Sequence, residues 1–115
     1  GGNIYCDGNL ACKESTISAM GEIYCSGTQS CNLAVSITGD SVYAYGYSTA
    51  FKSKINARII KAFGHYGISY ATVDSVNQEE MKVFSYGFNS GYGASVICRA
   101  GSKCILKCKT SGCKG

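Results

Sequence analysis

The chain has 115 residues, of which 16% are charged and 45% apolar, and its formal net charge is +4 at pH 7. This length allows one small domain whose core alone gives modest stability, and the apolar content excludes a disordered chain. The weak positive charge, with six of eleven basic residues after position 81, does not predict nucleic-acid binding. No apolar run is long enough to predict membrane insertion.

A nine-residue motif opens the chain and then returns. Residues 4–12 are IYCDGNLAC, residues 23–31 are IYCSGTQSC, and residues 42–50 are the Cys-less VYAYGYSTA, with weaker copies at 60–64 and 83–87. The glycines of the motif are 19, 19, 18 and 23 residues apart, and they are Gly8, Gly27, Gly46, Gly64 and Gly87. Self-similarity at this period predicts a solenoid.

Each repeat predicts a strand, a glycine corner and a return strand. Residues two apart share one strand face, so repeats stacked in register form inward columns. The first strands give an aliphatic column of Ile4, Ile23, Val42, Ile60 and Val83 and a small-residue column of Cys6, Cys25, Ala44, Ala62 and Ser85. A middle column contains Cys12, Cys31, Ala50 and Ile68, and the return strands give Ile17, Ile37, Ile55 and Val73. We predict an all-β fold, a single-stranded β-helix with a dry interior of Ile, Val, Ala and Cys.

The β-helix is predicted to have five to six coils of 18–23 residues in a single domain, 1–115. We place the coils near residues 3–20, 21–38, 39–56, 57–80 and 81–97, with an exposed polar loop at 74–80. Residues 98–115 are predicted to form a Cys-rich C-terminal cap that contains Cys108 and Cys113, which have no counterpart in the repeat. Val96 leaves the register there open, because it fits both the position of Ile4 and a return strand.

The eight cysteines indicate a disulfide framework formed in an oxidising compartment. Three pairs share the spacing Cys-x5-Cys, and they are Cys6/Cys12, Cys25/Cys31 and Cys98/Cys104. Closure within a coil and bonding between in-register neighbours both fit the distances that a disulfide needs. Because the third repeat replaces both positions, with Ala44 and Ala50, we favour closure within the coil. Zinc is not predicted, since His65 is the only histidine and no Cys-x-x-Cys occurs, and no other cofactor is expected.

The Cys-x5-Cys bracing resembles that of the small disulfide-rich solenoid antifreeze proteins of beetles, over the motif alone. The resemblance implies ice binding through rows of Thr-x-Thr, but the six threonines of this chain are predicted to occupy unrelated repeat positions. The longer repeat, over about the first 56 residues, is similar to repeats in large secreted β-helical surface proteins of protists. That similarity implies a secreted protein, extracellular or at the cell surface.

Two outward columns are rich in aromatic residues. They contain Tyr5, Tyr24, Tyr43, Lys61 and Phe84, and Asp7, Ser26, Tyr45, Phe63 and Tyr86. Such rows stabilise a solenoid by themselves, form a protein contact, or stack on sugars, because a monomer seldom exposes a large apolar patch. We predict a contact or glycan-stacking face made of Tyr5, Tyr24, Tyr43, Tyr45, Phe63, Phe84 and Tyr86.

The sequence does not predict an enzyme. Apart from the adjacent Glu79 and Glu80, the acidic residues share no column, and His65 has no nucleophile or carboxylate at a recognisable spacing. We therefore expect no catalytic residues and interpret His65 as a surface histidine.

The two ends of the predicted solenoid suggest its function. The chain starts with Gly1-Gly2 rather than Met, which suggests a processed product or a piece of a larger secreted protein, and it reaches Ile4 without a cap. Uncapped solenoid ends expose unpaired backbone groups, and head-to-tail contacts propagate into fibres. We predict an extracellular structural protein whose copies stack end to end into a filament or surface coat, with itself as partner. Carbohydrate binding by the aromatic face, with glycans as partners, and ice binding are the alternatives.

Overall fold

The chain forms a β-solenoid of about five turns, as the repeat predicts. The computed structural model describes residues 2–88, 90–91 and 93–109, and for 108 and 109 the backbone alone. Cys113 and residues 110–115 of the predicted cap lie outside the described residues.

The described strands alternate between two parallel sheets. Sheet A contains β1 (Ile4–Asp7), β3 (Glu22–Ser26), β5 (Ser41–Tyr45), β7 (Ile59–Phe63), β9 (Glu80–Tyr86) and β11 (Lys103–Lys109). Sheet B contains β2 (Thr16–Ser18), β4 (Ser36–Thr38), β6 (Lys54–Asn56), β8 (Thr72–Asp74) and β10 (Ser95–Ile97). Each turn of the chain therefore adds one strand to each sheet, and a third wall of turns connects sheet A to sheet B.

The register confirms the predicted inward columns. In sheet A, Ile4 pairs with Ile23 and the column continues to Val83. In sheet B, Ile17 pairs with Ile37 and the column continues through Val73 to Val96. Between their end members, these side chains are at most 2% exposed. The period of two along each strand therefore fills one continuous apolar core.

The corner glycines lie directly above one another. All five have φ between 100° and 126°, a region that glycine adopts without steric cost. A Cβ on Gly46 would lie 2.8 Å from the carbonyl oxygen of Gly27, and one on Gly64 would lie 2.7 Å from that of Gly46. Glycine is thus required both by the conformation of the corner and by the coil beneath it.

Three disulfides brace the described coils. Cys6–Cys12, Cys25–Cys31 and Cys98–Cys104 have Cα–Cα distances of 5.8, 5.9 and 6.1 Å. The first two pairs each close the corner of one coil, which confirms the pairing favoured from the joint loss of cysteine at Ala44 and Ala50. The bonds indicate an oxidising environment.

The interior is less apolar than predicted, because serines are buried in it. The Ser53 hydroxyl donates to the carbonyl of Cys31 at 2.8 Å and accepts from the amide of Ala34 at 3.0 Å. Ser90 likewise donates to the carbonyl of Ala62 at 3.1 Å. These hydroxyls satisfy backbone groups of the turn wall and of β7, as buried polar atoms require.

The C-terminal register corrects the sequence analysis. Val96 pairs with Val73 and so belongs to a return strand, whereas Leu106 takes the place of Ile4 by pairing with Val83. Cys108 pairs with Ser85 through the backbone, so it does have a counterpart in the repeat. The Cys98–Cys104 bond spans the corner from sheet B to sheet A, so an identical spacing serves a different corner.

The predicted loop at 74–80 is shorter in the structure and is partly buried. Asp74 ends β8, Glu80 begins β9, and Ser75 is buried. The following corner packs on this loop, because Ser102 donates to the carbonyl of Gln78 at 2.6 Å.

Candidate functional site

The first outward column of sheet A is a ladder of stacked tyrosines at one end of the solenoid. We call residues 5, 24, 43, 61, 84 and 107 the tyrosine column, since the register aligns them on the outer face. The rings of Tyr5 and Tyr24 are 4.8 Å apart and 2° from parallel, and those of Tyr24 and Tyr43 are 4.9 Å apart at 15°. The spacing between strands, about 4.8 Å, brings identical rings into contact.

A second ladder lies beside it. Tyr45 and Phe63 stack at 5.1 Å, and Phe63 and Tyr86 stack at 5.3 Å. The two ladders meet where Tyr43 contacts Tyr45 at 5.9 Å and where Phe84 contacts Tyr86 at 6.3 Å. The structure therefore brings together all seven aromatic residues predicted for the contact face.

The stacked rings cover one another's faces. Tyr24 and Phe63 each stack on a ring at both sides, so neither offers a free ring face to a sugar. Tyr5 differs, because it is 64% exposed and only Tyr24 stacks on it among the described residues. Tyr5 therefore has one ring face, at the end of the tyrosine column, on which no described ring stacks.

Lys61 replaces an aromatic residue in the tyrosine column but still contacts the rings on both sides of it. Its Nζ lies 5.8 Å from the ring centre of Tyr43 and 5.8 Å from that of Phe84. A lysine cation within about 6 Å of a ring is attracted by the ring quadrupole. The column thus contains an aromatic–Lys–aromatic sandwich.

Glu22 holds two tyrosines of the column together. The Tyr24 hydroxyl donates to Oε1 of Glu22 at 2.9 Å, and the Tyr43 hydroxyl donates to Oε2 at 3.0 Å. The hydrogen bond to this carboxylate is the largest cause that raises the pKa of Tyr24 to about 12. The pKa of Tyr43 is raised chiefly by burial and then by the same carboxylate. Glu22 is not among the residues predicted for this face, although its place two residues before Tyr24 puts both on one strand face.

The N-terminal edge of sheet A is open among the described residues, since only β3 pairs with β1. The amide of Gly8 donates to the carbonyl of Ser26 at 3.0 Å, toward β3. Successive residues of a parallel strand direct their backbone groups to opposite sides, so the amides of Tyr5 and Asp7 face away from the sheet. Gly2 accepts a hydrogen bond from the amide of Gly21, so residues before Ile4 already contact the second coil.

The other end of the solenoid exposes the last members of the inward columns. Leu106 is 52% exposed although Ile23, Val42, Ile60 and Val83 of its column are buried, and Val96 is also exposed. Ile97, on the outer face of β10, is exposed as well. No described strand pairs with the outer edge of β11. In the part of the chain that the structure describes, both ends therefore present an outer parallel strand without a second neighbour, and apolar side chains.

The prediction that the threonines occupy unrelated repeat positions is wrong for two of them on the outer face of sheet B. The register places Thr16 and Thr72 in one column and Thr38 in the neighbouring column of the same face. Lys54 lies between the threonines of the first column, and the ion pair of Asp74 with Arg99, 2.6 Å long, lies across the same face. The hydroxyl rows are thus interrupted by charge.

His65 is exposed in the turn wall, with its ring 5.6 Å from that of Phe88 and 6.2 Å from that of Tyr47. Over 2–88, 90–91 and 93–109, no three His, Cys, Asp or Glu side chains form a group that could hold a metal ion. The same part of the chain contains no helix long and apolar enough to cross a membrane. Comparison with family models, curated proteins and solved structures gives no match.

Proposed function

We propose that this protein is a secreted structural protein whose copies stack end to end through the open edges of sheet A. The observation that supports this most strongly is that β1 and β11 are the two outer strands of one parallel sheet. Because all strands of sheet A run in one direction, β11 of one copy meets β1 of the next as another parallel neighbour. Unpaired strand edges are templates for such pairing, and a head-to-tail contact that does not close gives a filament.

Continuing the register across this contact extends the apolar core. Leu106, which pairs with Val83, comes to lie on Ile4 of the next copy. The exposed side chain of Leu106 and the half-buried side chain of Ile4 then lose contact with water. Apolar burial of this kind contributes about 25 cal/mol per Å².

The junction is weaker than the contact between two coils of one copy. The described strands give sheet A six members and sheet B five. When β11 meets β1, β10 and β2 of adjacent copies are two strand spacings apart, about 9.6 Å, and do not pair directly. Assembly therefore depends on sheet A and on protein concentration.

The disulfides support placement outside the cell. Cys6–Cys12, Cys25–Cys31 and Cys98–Cys104 need an oxidising compartment to form and persist. A filament held by β-edges and braced near both ends by disulfides suits an extracellular fibre or coat.

A matched pair of variants at Asp7 tests the proposal. Asp7→Pro removes the amide on the outer edge of β1, and an edge strand tolerates proline because its bonds to the inner neighbour remain. Asp7→Ala loses the same carboxylate, which accepts from Ser26, but keeps the amide. We expect negative-stain microscopy and sedimentation to show filaments for the native protein and Asp7→Ala, and few or none for Asp7→Pro. A native protein that stays monomeric at millimolar concentration would refute the proposal.

Glycan binding is the second candidate, and the open ring face of Tyr5 is the observation that favours it. One stacking platform at the end of a ladder would hold a sugar weakly. Retention of the native protein on a polysaccharide column, lost in Tyr5→Ala and kept in Tyr47→Ala, would support this alternative. Equal retention of the two variants would remove it.

A further inference from the structure

We propose that Lys107 and Tyr5 form the contact that sets the register of this junction. The Lys107 ammonium of one copy lies between its own Phe84 ring and the Tyr5 ring of the next copy. The inference rests on the proposed end-to-end assembly and adds the residues that determine how two copies align.

The same column contains an internal precedent for this contact. Lys61 lies between Tyr43 and Phe84 in register, with its Nζ 5.8 Å from each ring centre. Lys107 occupies the next position after Phe84 and is exposed. The order Tyr43–Lys61–Phe84 inside one copy is therefore repeated as aromatic–Lys–aromatic across the junction.

Tyr5 is suited to this role by its place at the end of the ladder. Its inner face is covered by Tyr24 at 4.8 Å, whereas its side chain is 64% exposed. The negative face of a tyrosine ring attracts a cation. Because stacking on Tyr24 already fixes the orientation of the Tyr5 ring, the free face of Tyr5 meets strand β11 of the adjoining copy without a further loss of side-chain freedom.

Misaligned contacts lose the full set of aligned pairs. A slip of one residue exchanges the inward and outward faces of the added strand, which would turn Lys107 toward the core. A slip of two residues in one direction places Ile105 on Tyr5. In the other direction Lys109 takes the position opposite Tyr5, but Leu106 then no longer lies on Ile4 and β11 ends before it reaches Asp7. In the aligned junction, the backbone register also places Lys109 opposite Asp7, so residues of opposite formal charge share the neighbouring column.

Charge reversal with rescue tests the contact in the full chain. Lys107→Glu places a carboxylate against the Tyr5 ring, and Tyr5→Lys places two ammonium groups together. We expect each single variant to raise the critical concentration for filament formation about 3- to 10-fold, the range for a cation–π contact of moderate strength. The double variant, Tyr5→Lys with Lys107→Glu, restores an attractive pair, and we expect its critical concentration within about twofold of the native value.

Lys54→Glu is the control, since it makes the same change in net charge on sheet B, away from the end strands. Circular dichroism and thermal unfolding below the assembly concentration establish that each variant is folded. If native filaments form and Lys107→Glu assembles like Lys54→Glu, the contact is refuted while end-to-end assembly stands. Two weakened single variants without rescue in the double variant would also refute it. Absence of native filaments would instead refute the proposed function.

Discussion

At the scale of single residues, the outward face of sheet A is organised by Glu22. Its two carboxylate oxygens accept from Tyr24 and Tyr43, on adjacent strands, and keep the phenols oriented along the ladder. The tyrosine column could be predicted, because residues two apart share a face. The carboxylate bridge could not, since it depends on side-chain conformations across two coils.

Glu22→Gln tests this bridge. The charged carboxylate favours the protonated phenol, so replacing it with a neutral amide should lower the pKa of Tyr24 from about 12 toward the ordinary value of 10.0. A spectrophotometric titration of tyrosine ionisation measures the shift, with Glu79→Gln as the control, since Glu79 is exposed and lies outside the tyrosine column. An unchanged titration curve in Glu22→Gln would contradict the assignment.

The same pKa shift predicts how stability depends on alkaline pH. The folded state holds the Tyr24 proton up to a pKa of about 12, whereas the unfolded chain releases it near the ordinary value of 10.0. The unfolded state therefore binds fewer protons in this window, and the free energy of unfolding falls as pH rises. We expect denaturant midpoints to decrease from pH 10 to 12 less steeply in Glu22→Gln than in the native protein. Identical slopes would count against the bridge.

At the scale of the coil, the glycine corner is the element that fixes the stacking. Gly8 and Gly46 both have positive φ, at 101° and 126°, but a Cβ has open space at Gly8 and meets the carbonyl of Gly27 at Gly46. Alanine substitutions at these two glycines therefore distinguish two costs. The one at Gly8 measures backbone strain alone, and the one at Gly46 measures backbone strain together with a steric clash.

We expect Gly8→Ala to cost about 1–3 kcal/mol of stability, the range for a non-glycine residue held in a sparsely populated backbone region. Gly46→Ala carries the same strain and a clash with backbone, and we expect more than about 4 kcal/mol. Chemical denaturation below the assembly concentration measures both. Equal losses would show that the corners are not closely stacked.

Removal of one disulfide tests whether a coil needs that bond in order to fold. Ala44 and Ala50 form the corner of the third coil without one and are fully buried. The double variant Cys25→Ala with Cys31→Ala gives the second coil the same pair. We expect it to fold and to lose about 2 kcal/mol, as the closure of a short loop implies. A chain that cannot fold would show that the apolar columns do not suffice.

The strand columns could be predicted because each repeat contains its own marker, an aliphatic residue four positions before a glycine. The register after Gly87 could not be predicted, because Cys98 and Cys104 have the same spacing as Cys6 and Cys12 but lie at a different corner of the coil. The alignment of Thr16 with Thr72 was missed for a related reason. Return strands of three residues contain too few positions to align by pattern alone.

At the scale of the whole molecule, the proposed function depends on the two ends. β1 and β11 leave sheet A open on both sides among the described residues, and the columns end in Tyr5 at one side and in Leu106 and Lys107 at the other. The addition of one neighbouring parallel strand by each repeat could be predicted from the sequence. The matching order of the tyrosine column required the observed register.

Helical reconstruction of native filaments by electron cryomicroscopy tests end-to-end stacking most directly. Six strands of sheet A per copy at about 4.8 Å each predict an axial rise of about 29 Å per subunit, with strands perpendicular to the filament axis. A rise near this value, with β11 beside β1 of the next copy, would establish the stacking. Filaments built by lateral contacts, or a protein that remains monomeric at every concentration, would contradict it.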